Sequence, residues 1–335
     1  MAAVREPLSE GPEVVDLRRI SGRQLEPLLL EETVEWDREL DWDFGRSADL
    51  VRQYADSRGL NGVVMLNRGE VAGYGYCVLE DHKGLVGDLY LRPPWRTPEN
   101  EAWLMRLLLQ ALAGTPQIRR IESQLMLFGL EAGRALEREQ AVRVHDRVLM
   151  TLDLTKSDGH GPGSASSQLN LTGSASLQSR FRIEPWGDYH HQAASGIITH
   201  AYRQHVDSEI NDQYRSEPGA QRFLYNIVQY PGCGNFYRAA SHVAFDRETR
   251  VPAGVVLSSL VGPETGHVTQ LCITPRAQGQ GLGRALLEKA IFGLRARGLK
   301  RVSLTVTVAN RAALQLYLRS GFQEVRRFPA CVWEQ

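Results

Sequence analysis

Two stretches of this chain lay out the same series of elements at the same intervals, and such a duplication constrains the fold to two similar units. In the first stretch, Val63–Leu66 and Val71–Leu79 flank Asn67-Arg68-Gly69, the pattern of a hairpin. An apolar strand, Leu85–Leu91, then ends at Pro93. A helix of Leu, Met and Trp runs over Glu99–Leu112, and a short strand begins near Ile118. In the second stretch, His242–Phe245 and Val251–Leu260 flank Asp246–Arg250, and the strand His267–Ile273 ends at Pro275. A helix over Leu282–Arg297 and a strand over Arg301–Val306 complete it. The interval from Gly73 to Pro93 matches that from Gly254 to Pro275 to within about one residue, and Pro93 to Ile118 matches Pro275 to Leu299 as closely.

A segment rich in Gly, Ser, Ala and Asp, without apolar periodicity, lies between the two stretches and reads as a flexible linker over 156–179. The expected division is therefore a first domain over 12–155 and a second over 180–335. A chain of 335 residues has room for two cores. Its formal net charge is zero, with lysines and arginines scattered, so global charge favours neither nucleic acid nor an anionic membrane as partner. Met1–Gly11 has no apolar core of a secretory signal, and no apolar run reaches the ~18 residues of a membrane span. The four cysteines are far apart and form no metal-binding spacing, so the expectation is a reducing, cytoplasmic setting and no metal.

Chemistry is written in the second stretch. From Leu271 the chain reads Leu-Cys-Ile-Thr-Pro-Arg-Ala-Gln-Gly-Gln-Gly-Leu-Gly-Arg, a strand that passes through a glycine-rich turn into a helix. Glycines let backbone approach a ligand, and the first amides of a helix lack intrahelical partners, so this turn suits a pyrophosphate. Arg284 in the first helical turn adds a cationic contact. A Walker loop would need Gly-Lys-Ser/Thr, and a dinucleotide fingerprint would need a third glycine and an acidic residue at the next strand. Neither is present, since Gly281-Leu282-Gly283 is followed by Arg284-Ala285-Leu286 and the next strand opens with Arg301.

The spacing Gln278-x-x-Gly281-x-Gly283 after a strand resembles the acetyl-CoA signature of the GNAT superfamily of N-acetyltransferases. Downstream, Asn310 opens a helix carrying Tyr317, followed by Ser320-Gly321-Phe322, which resembles the family's second motif. The resemblance covers about Phe181–Gln335. It implies an α/β fold with two tandem GNAT-like domains, each a mixed, mostly antiparallel sheet flanked by helices. It also implies acetyl-CoA as acyl donor, held by Leu271, Cys272, Ile273, Gln278, Gly279, Gln280, Gly281, Leu282, Gly283, Arg284 and Asn310.

By the same resemblance, Tyr317 stands near the CoA sulfur as the acid for the departing thiolate, although a helix tyrosine packed on the sheet explains its position too. Asn310 is equally a natural helix N-cap. The glutamate that many relatives carry after the pyrophosphate helix is replaced by Leu304-Thr305-Val306. Counting back from Gln278, a second family position for a base falls on His267, whose ordinary pKa suits proton acceptance near pH 7. The alternative is an exposed histidine at a strand end.

Acidic and aromatic residues between Trp186 and Phe236, among them Tyr202, His205, Asp207, Glu209 and Tyr214, suit a cationic acceptor or a solvated helix face. The implied activity is acetyl transfer to a primary amine, on a small molecule or a protein, by direct attack in a ternary complex. The alternatives are a non-catalytic acyl-CoA sensor and a small-molecule acyltransferase resembling mycothiol synthase, which modifies a cysteinyl-sugar amine.

In the first stretch, Arg96 aligns with Gln278, Glu99 and Glu101 with Gly281 and Gly283, Gly129 with Asn310, and Leu136 with Tyr317. Carboxylates at an anion-binding turn repel a pyrophosphate, so this unit is expected to have lost acetyl-CoA binding. Its expected role is to pack as half of a pseudo-dimer in a monomeric chain.

Overall fold

The computed structural model describes residues 11–156, 175–230 and 232–335. In chain order the elements are β1 (Glu13–Asp16), α1 (Gly22–Leu40), α2 (Gly45–Asp56), β2 (Asn61–Asn67), β3 (Glu70–Glu80), β4 (Lys83–Leu91), α3 (Pro98–Ala113), β5 (Arg120–Gln124), α4 (Leu130–Arg138) and β6 (Arg143–Asp153). They continue with α5 (Ala175–Arg180), β7 (Phe181–Pro185), α6 (His191–Ala201), α7 (Val206–Ile210), α8 (Glu217–Gln229), β8 (Asn235–Phe236), β9 (His242–Asp246), β10 (Pro252–Leu260), β11 (Thr265–Ile273), α9 (Leu282–Ala296), β12 (Arg301–Thr307), α10 (Arg311–Arg319) and β13 (Gln323–Glu334). Most of the segment read as a linker, 157–174, lies outside the described residues, and its end belongs to α5.

The chain divides into two compact units. The first comprises Met1–Trp36, Phe44–Val144 and Phe328–Gln335; the second comprises Asp37–Asp43 and His145–Arg327. In the first unit the strands run β1-β2-β3-β4-β5, antiparallel except for the parallel pair β4/β5, with residues 330–334 of β13 antiparallel to β5. The β2–β3 turn has Arg68 and Gly69 both at positive φ, 50° and 85°, the two-residue hairpin geometry that the Asn-Arg-Gly text predicts. Helix α3 starts at Thr97, whose side chain accepts from the Asn100 amide, and at Pro98, whose missing N–H costs a first turn nothing.

The second unit repeats this order as β7-β9-β10-β11-β12, antiparallel except for the parallel pair β11/β12, with residues 147–153 of β6 antiparallel to β12. The units thus differ from the 12–155 and 180–335 division read from the sequence. Each takes its last strand from the other half of the chain. Spacing within a repeat shows that a strand exists but not which neighbour it pairs with, because pairing is a long-range choice.

Strand β10 is buried along nearly its whole length, as a strand covered on both faces must be. Val255 and Leu257 pack against Ile197 and Ile198 of α6 and Leu224 and Ile227 of α8. On the opposite face Val256 meets Leu286, Leu287, Ala290 and Leu294 of α9. Each fully buried leucine of this kind contributes about 1.5–3 kcal/mol. Helix α9 lies close to the sheet because Gly266 gives it room: a Cβ there would stand 2.7 Å from Leu294 Cδ2.

Candidate active site

Strands β11 and β12 pair from Thr265 and Arg301 as far as Val268 and Leu304, and then part. Across the other edge of β11, the register against β10 shifts between Leu257 and Ser258, leaving Thr269 as the extra residue of a bulge. A bulge bends its strand and re-aims the side chains beyond it. The parting opens a cavity of about 70 Å³ whose walls include Thr269, Gln270 and Thr305 from the two strands, Asn310 and Tyr317 from α10, and Asp207 from α7. Its size suits the small polar end of a substrate that carries the reacting group.

Tyr317 is buried through its ring, which packs against Phe322 with centroids 5.9 Å apart. Its hydroxyl makes no hydrogen bond among the described residues. Burial raises the phenol's pKa, the charge of Asp207 raises it further, and the group stays protonated well beyond neutral pH. Asn310 caps α10, its side chain accepting from the Ala313 amide at 3.2 Å, and also lines the cavity. One residue serves both places.

Two aromatic rings form another wall. Tyr202 stacks on Tyr214 with centroids 4.4 Å apart, and its hydroxyl accepts from Gln270 Nε2 at 2.8 Å. Asp207 lies in the first turn of α7, behind the His205 side chain that caps the helix by accepting from the Asp207 amide. Its carboxylate accepts a hydrogen bond from the hydroxyl of Thr307. Asp207 is the only carboxylate among the described residues that line the cavity.

The structure places His267 elsewhere. It is 5% exposed, its Nδ1 shares a hydrogen bond with Ser303 Oγ at 2.9 Å, and its ring meets Trp42 edge-on at 5.0 Å. It does not line the cavity. Desolvation, with a contribution from the charge of Arg147, pushes its pKa down to about 3, so at neutral pH it is an uncharged group of the sheet interior. The expectation of an exposed histidine also fails. Cys272 is buried on β11, and desolvation pushes its thiol up to about 12, which leaves no thiolate for a covalent intermediate.

At the far end of β11, Gly279 and Gly281 take positive φ values of 72° and 81°, as the glycine-rich text requires. Gly281 is the N-cap of α9 and no side chain caps this helix. A Cβ on Gly279 would meet no atom within 4 Å, and one on Gly281 would stand 3.5 Å from Leu177 Cδ1. Gln278 and Gln280 turn their amide groups back onto the carbonyls of Ile273 and Arg276, at 3.1 and 2.9 Å, bracing the loop. Leu282 is buried beneath it. Arg284 instead pairs with Glu288 at 2.8 Å, one turn along the exposed face of α9. Leu271 belongs to the cavity wall, and Ile273 lies beside the position of Gly283.

The corresponding turn of the first unit is filled by its own side chains. Thr97 caps α3, Glu101 is buried and accepts from the Gly129 amide, and Arg96 pairs with Glu35 and donates to the Leu91 carbonyl. Gly129 and Leu136 occupy in α4 the places that Asn310 and Tyr317 occupy in α10.

Arg147 also lines the cavity of the second unit. It belongs to β6, in the first half of the chain, and no local motif marks it.

Residues 203–322 match the model of the Acetyltransferase (GNAT) family. Over 61 residues, 18% of this chain and 20% of the relative, the sequence is 51% identical to a mycothiol acetyltransferase of Beutenbergia cavernae. Over 68 residues, 20% of this chain and 30% of the relative, it is 35% identical to an uncharacterized N-acetyltransferase of Methanocaldococcus jannaschii. The chain thus spans less than a third of the length of these curated relatives. Among solved structures, a GCN5-related N-acetyltransferase from Sphaerobacter thermophilus superposes with a TM-score of 0.65 at 14% identity, over 96% of this chain and 95% of that one. A tandem GNAT protein from the clavulanic acid biosynthesis pathway does so with a TM-score of 0.58 at 15% identity, over 97% and 98%. These two likenesses are of fold.

The fold is an α/β protein built of two like units, the second of which carries the stretch that matches the acetyltransferase family. The family match is confined to residues 203–322, in the second half of the chain, and the likeness of the whole chain to a tandem GNAT protein is one of fold.

Among the described residues, no helix is long and apolar enough to cross a membrane. No cluster of three or more His, Cys, Asp or Glu side chains there could hold a metal.

Proposed function

We propose that the second unit transfers acetyl from acetyl-CoA to a primary amine by direct attack in a ternary complex. The observation that carries this reading is the cleft where β11 and β12 part, with the unpartnered hydroxyl of Tyr317 facing it and an uncapped helix N-terminus at the end of β11. The amides at the start of α9, capped by no side chain, fit a pyrophosphate, which the helix dipole favours. The pantetheine arm then lies along Leu271 and Asn310, bringing the thioester to the cavity.

The amine nitrogen attacks the thioester carbon, the carbon–sulfur bond breaks, and the departing thiolate takes its proton from Tyr317. Asp207 is the group we assign to hold the amine and receive its proton, in the place the sequence suggested for His267. A general acid of this kind contributes about 10²–10⁴ in rate. The first unit, its turn closed by Thr97, Glu101 and Arg96, is proposed not to bind acetyl-CoA.

The test is release of free CoA thiol from acetyl-CoA against a panel of amines that includes amino acids, polyamines, peptides and a cysteinyl-sugar amine. Amine-dependent release supports transfer. Tight acetyl-CoA binding with no release on any amine supports the acyl-CoA sensor instead.

A further inference from the structure

Asp207 alone would suit any primary amine, yet the same cavity holds a guanidinium. Arg147 sits opposite Thr307 in the β6–β12 pairing, half-buried, and its Nη2 donates to Thr305 Oγ1 at 3.2 Å. Thr307 donates to Asp207. Residues 305 and 307 are two apart on one strand, so they share a face and their Cα atoms lie about 6.5–7 Å apart. One strand therefore fixes a cation and an anion side by side in the walls of one cavity. Both charges act there, since the Tyr317 and Tyr214 phenols feel Asp207 and Arg147 in opposite senses.

For a simple amine this arrangement is unfavourable. A guanidinium a few ångströms from an ammonium repels it, and in a partly desolvated cavity that repulsion is stronger than in water. The repulsion turns into attraction when the acceptor itself carries an anion. The guanidinium fork matches a carboxylate in particular.

Resting on the acetyl-transfer reading above, we infer that the acceptor is an α-amino acid: its amine faces Asp207 and its carboxylate faces Arg147. Arg147 is then a specificity-determining residue supplied to the second unit by the first half of the sequence.

The experiment compares kcat/KM for the common L-α-amino acids with that for their carboxamides, using the full chain and acetyl-CoA. At least one amino acid is expected to exceed its own amide by tenfold or more. In Arg147→Gln that preference disappears through a higher KM for the acid and a lower one for the amide, from which the repulsion is lifted, and Arg147→Lys recovers part of it. Acetyl-CoA affinity of each variant reports that the unit is folded. A wild type that acetylates amides or plain alkylamines as well as the acids overturns the carboxylate assignment and leaves acetyl transfer standing. Equal losses on acid and amide in Arg147→Gln overturn it as well. A wild type that binds acetyl-CoA but acetylates no amine overturns this inference together with the transfer reading.

Discussion

Replacing Tyr317 by Phe removes one oxygen atom and leaves the ring in place against Phe322. The hydroxyl makes no hydrogen bond among the described residues, so the fold forfeits none, and stability should change by less than about 1 kcal/mol. The turn at residues 278–283, proposed to hold acetyl-CoA, keeps its side chains. Turnover, in contrast, loses its proton donor. Burial holds the phenol in its protonated form, so the wild-type donor is present at every pH near neutrality. Losing a general acid costs about 10²–10⁴ in kcat, or roughly 3–5.5 kcal/mol in activation free energy at 1.36 kcal/mol per decade. Stopped-flow or coupled thiol release would give kcat, and calorimetry would give acetyl-CoA affinity. The expectation is a kcat at least about a hundredfold lower with an affinity within about threefold of wild type. A kcat within threefold of wild type would refute the acid role, and a parallel loss of affinity would make Tyr317 a cofactor contact instead.

Other consequences can be checked separately. Asp207→Asn keeps the acceptor for Thr307 but removes both the charge and the proton acceptor, so kcat/KM for the amine should fall by at least about 10–150-fold, the worth of the charged hydrogen bond alone, with acetyl-CoA affinity unchanged. Cys272→Ala should retain turnover, because burial keeps that thiol protonated; abolished turnover with intact acetyl-CoA binding would revive a covalent route. In the first unit, Tyr74 stands 2.9 Å from both Glu32 and Asp88, and a phenol has one proton to donate, so a carboxyl must carry another. Burial raises the Glu32 pKa well above its ordinary value of 4.5, so the stability it contributes is full below that value and is lost as pH rises through the folded one. Glu32→Gln should therefore flatten the fall of melting temperature between pH 5 and 9 and raise it at pH 8 by at least about 2 °C; an unchanged slope would contradict a protonated Glu32.

Much of the fold was legible because local patterns bound the elements. Proline after each cofactor-side strand, the Asn-Arg-Gly turn and the glycine loop are short-range signals, and the elements appear within a few residues of where they were read. The repeat extends to the caps, with Gly129 and Asn310 both opening helices at matching places. What was illegible is long-range. The exchange of β6 and the end of β13 is a choice of partner, and it carries Arg147 into a cavity that no motif near it announces. His267 was assigned by counting positions, but the count carries no information on burial. The pairing of that strand with β12 places the ring beside Ser303 and Trp42, where desolvation removes its basicity. Arg284 was placed at the loop by proximity in sequence, while a helical turn offers Glu288 at i+4.

On the proposed reading, one half of the duplicated chain holds acetyl-CoA, at the turn around Gly279 and Gly281. Calorimetric titration of acetyl-CoA into the full chain, alongside Gly279→Asp, tests it most directly. Aspartate takes a positive φ at a modest local strain and its Cβ enters open space, so the variant should fold while placing a negative charge where the pyrophosphate is proposed to sit. One acetyl-CoA per wild-type chain is expected, with at least about a tenfold loss of affinity in the variant, the effect of ~1.4 kcal/mol. Two sites per chain, or a variant that binds as tightly as wild type, would contradict it.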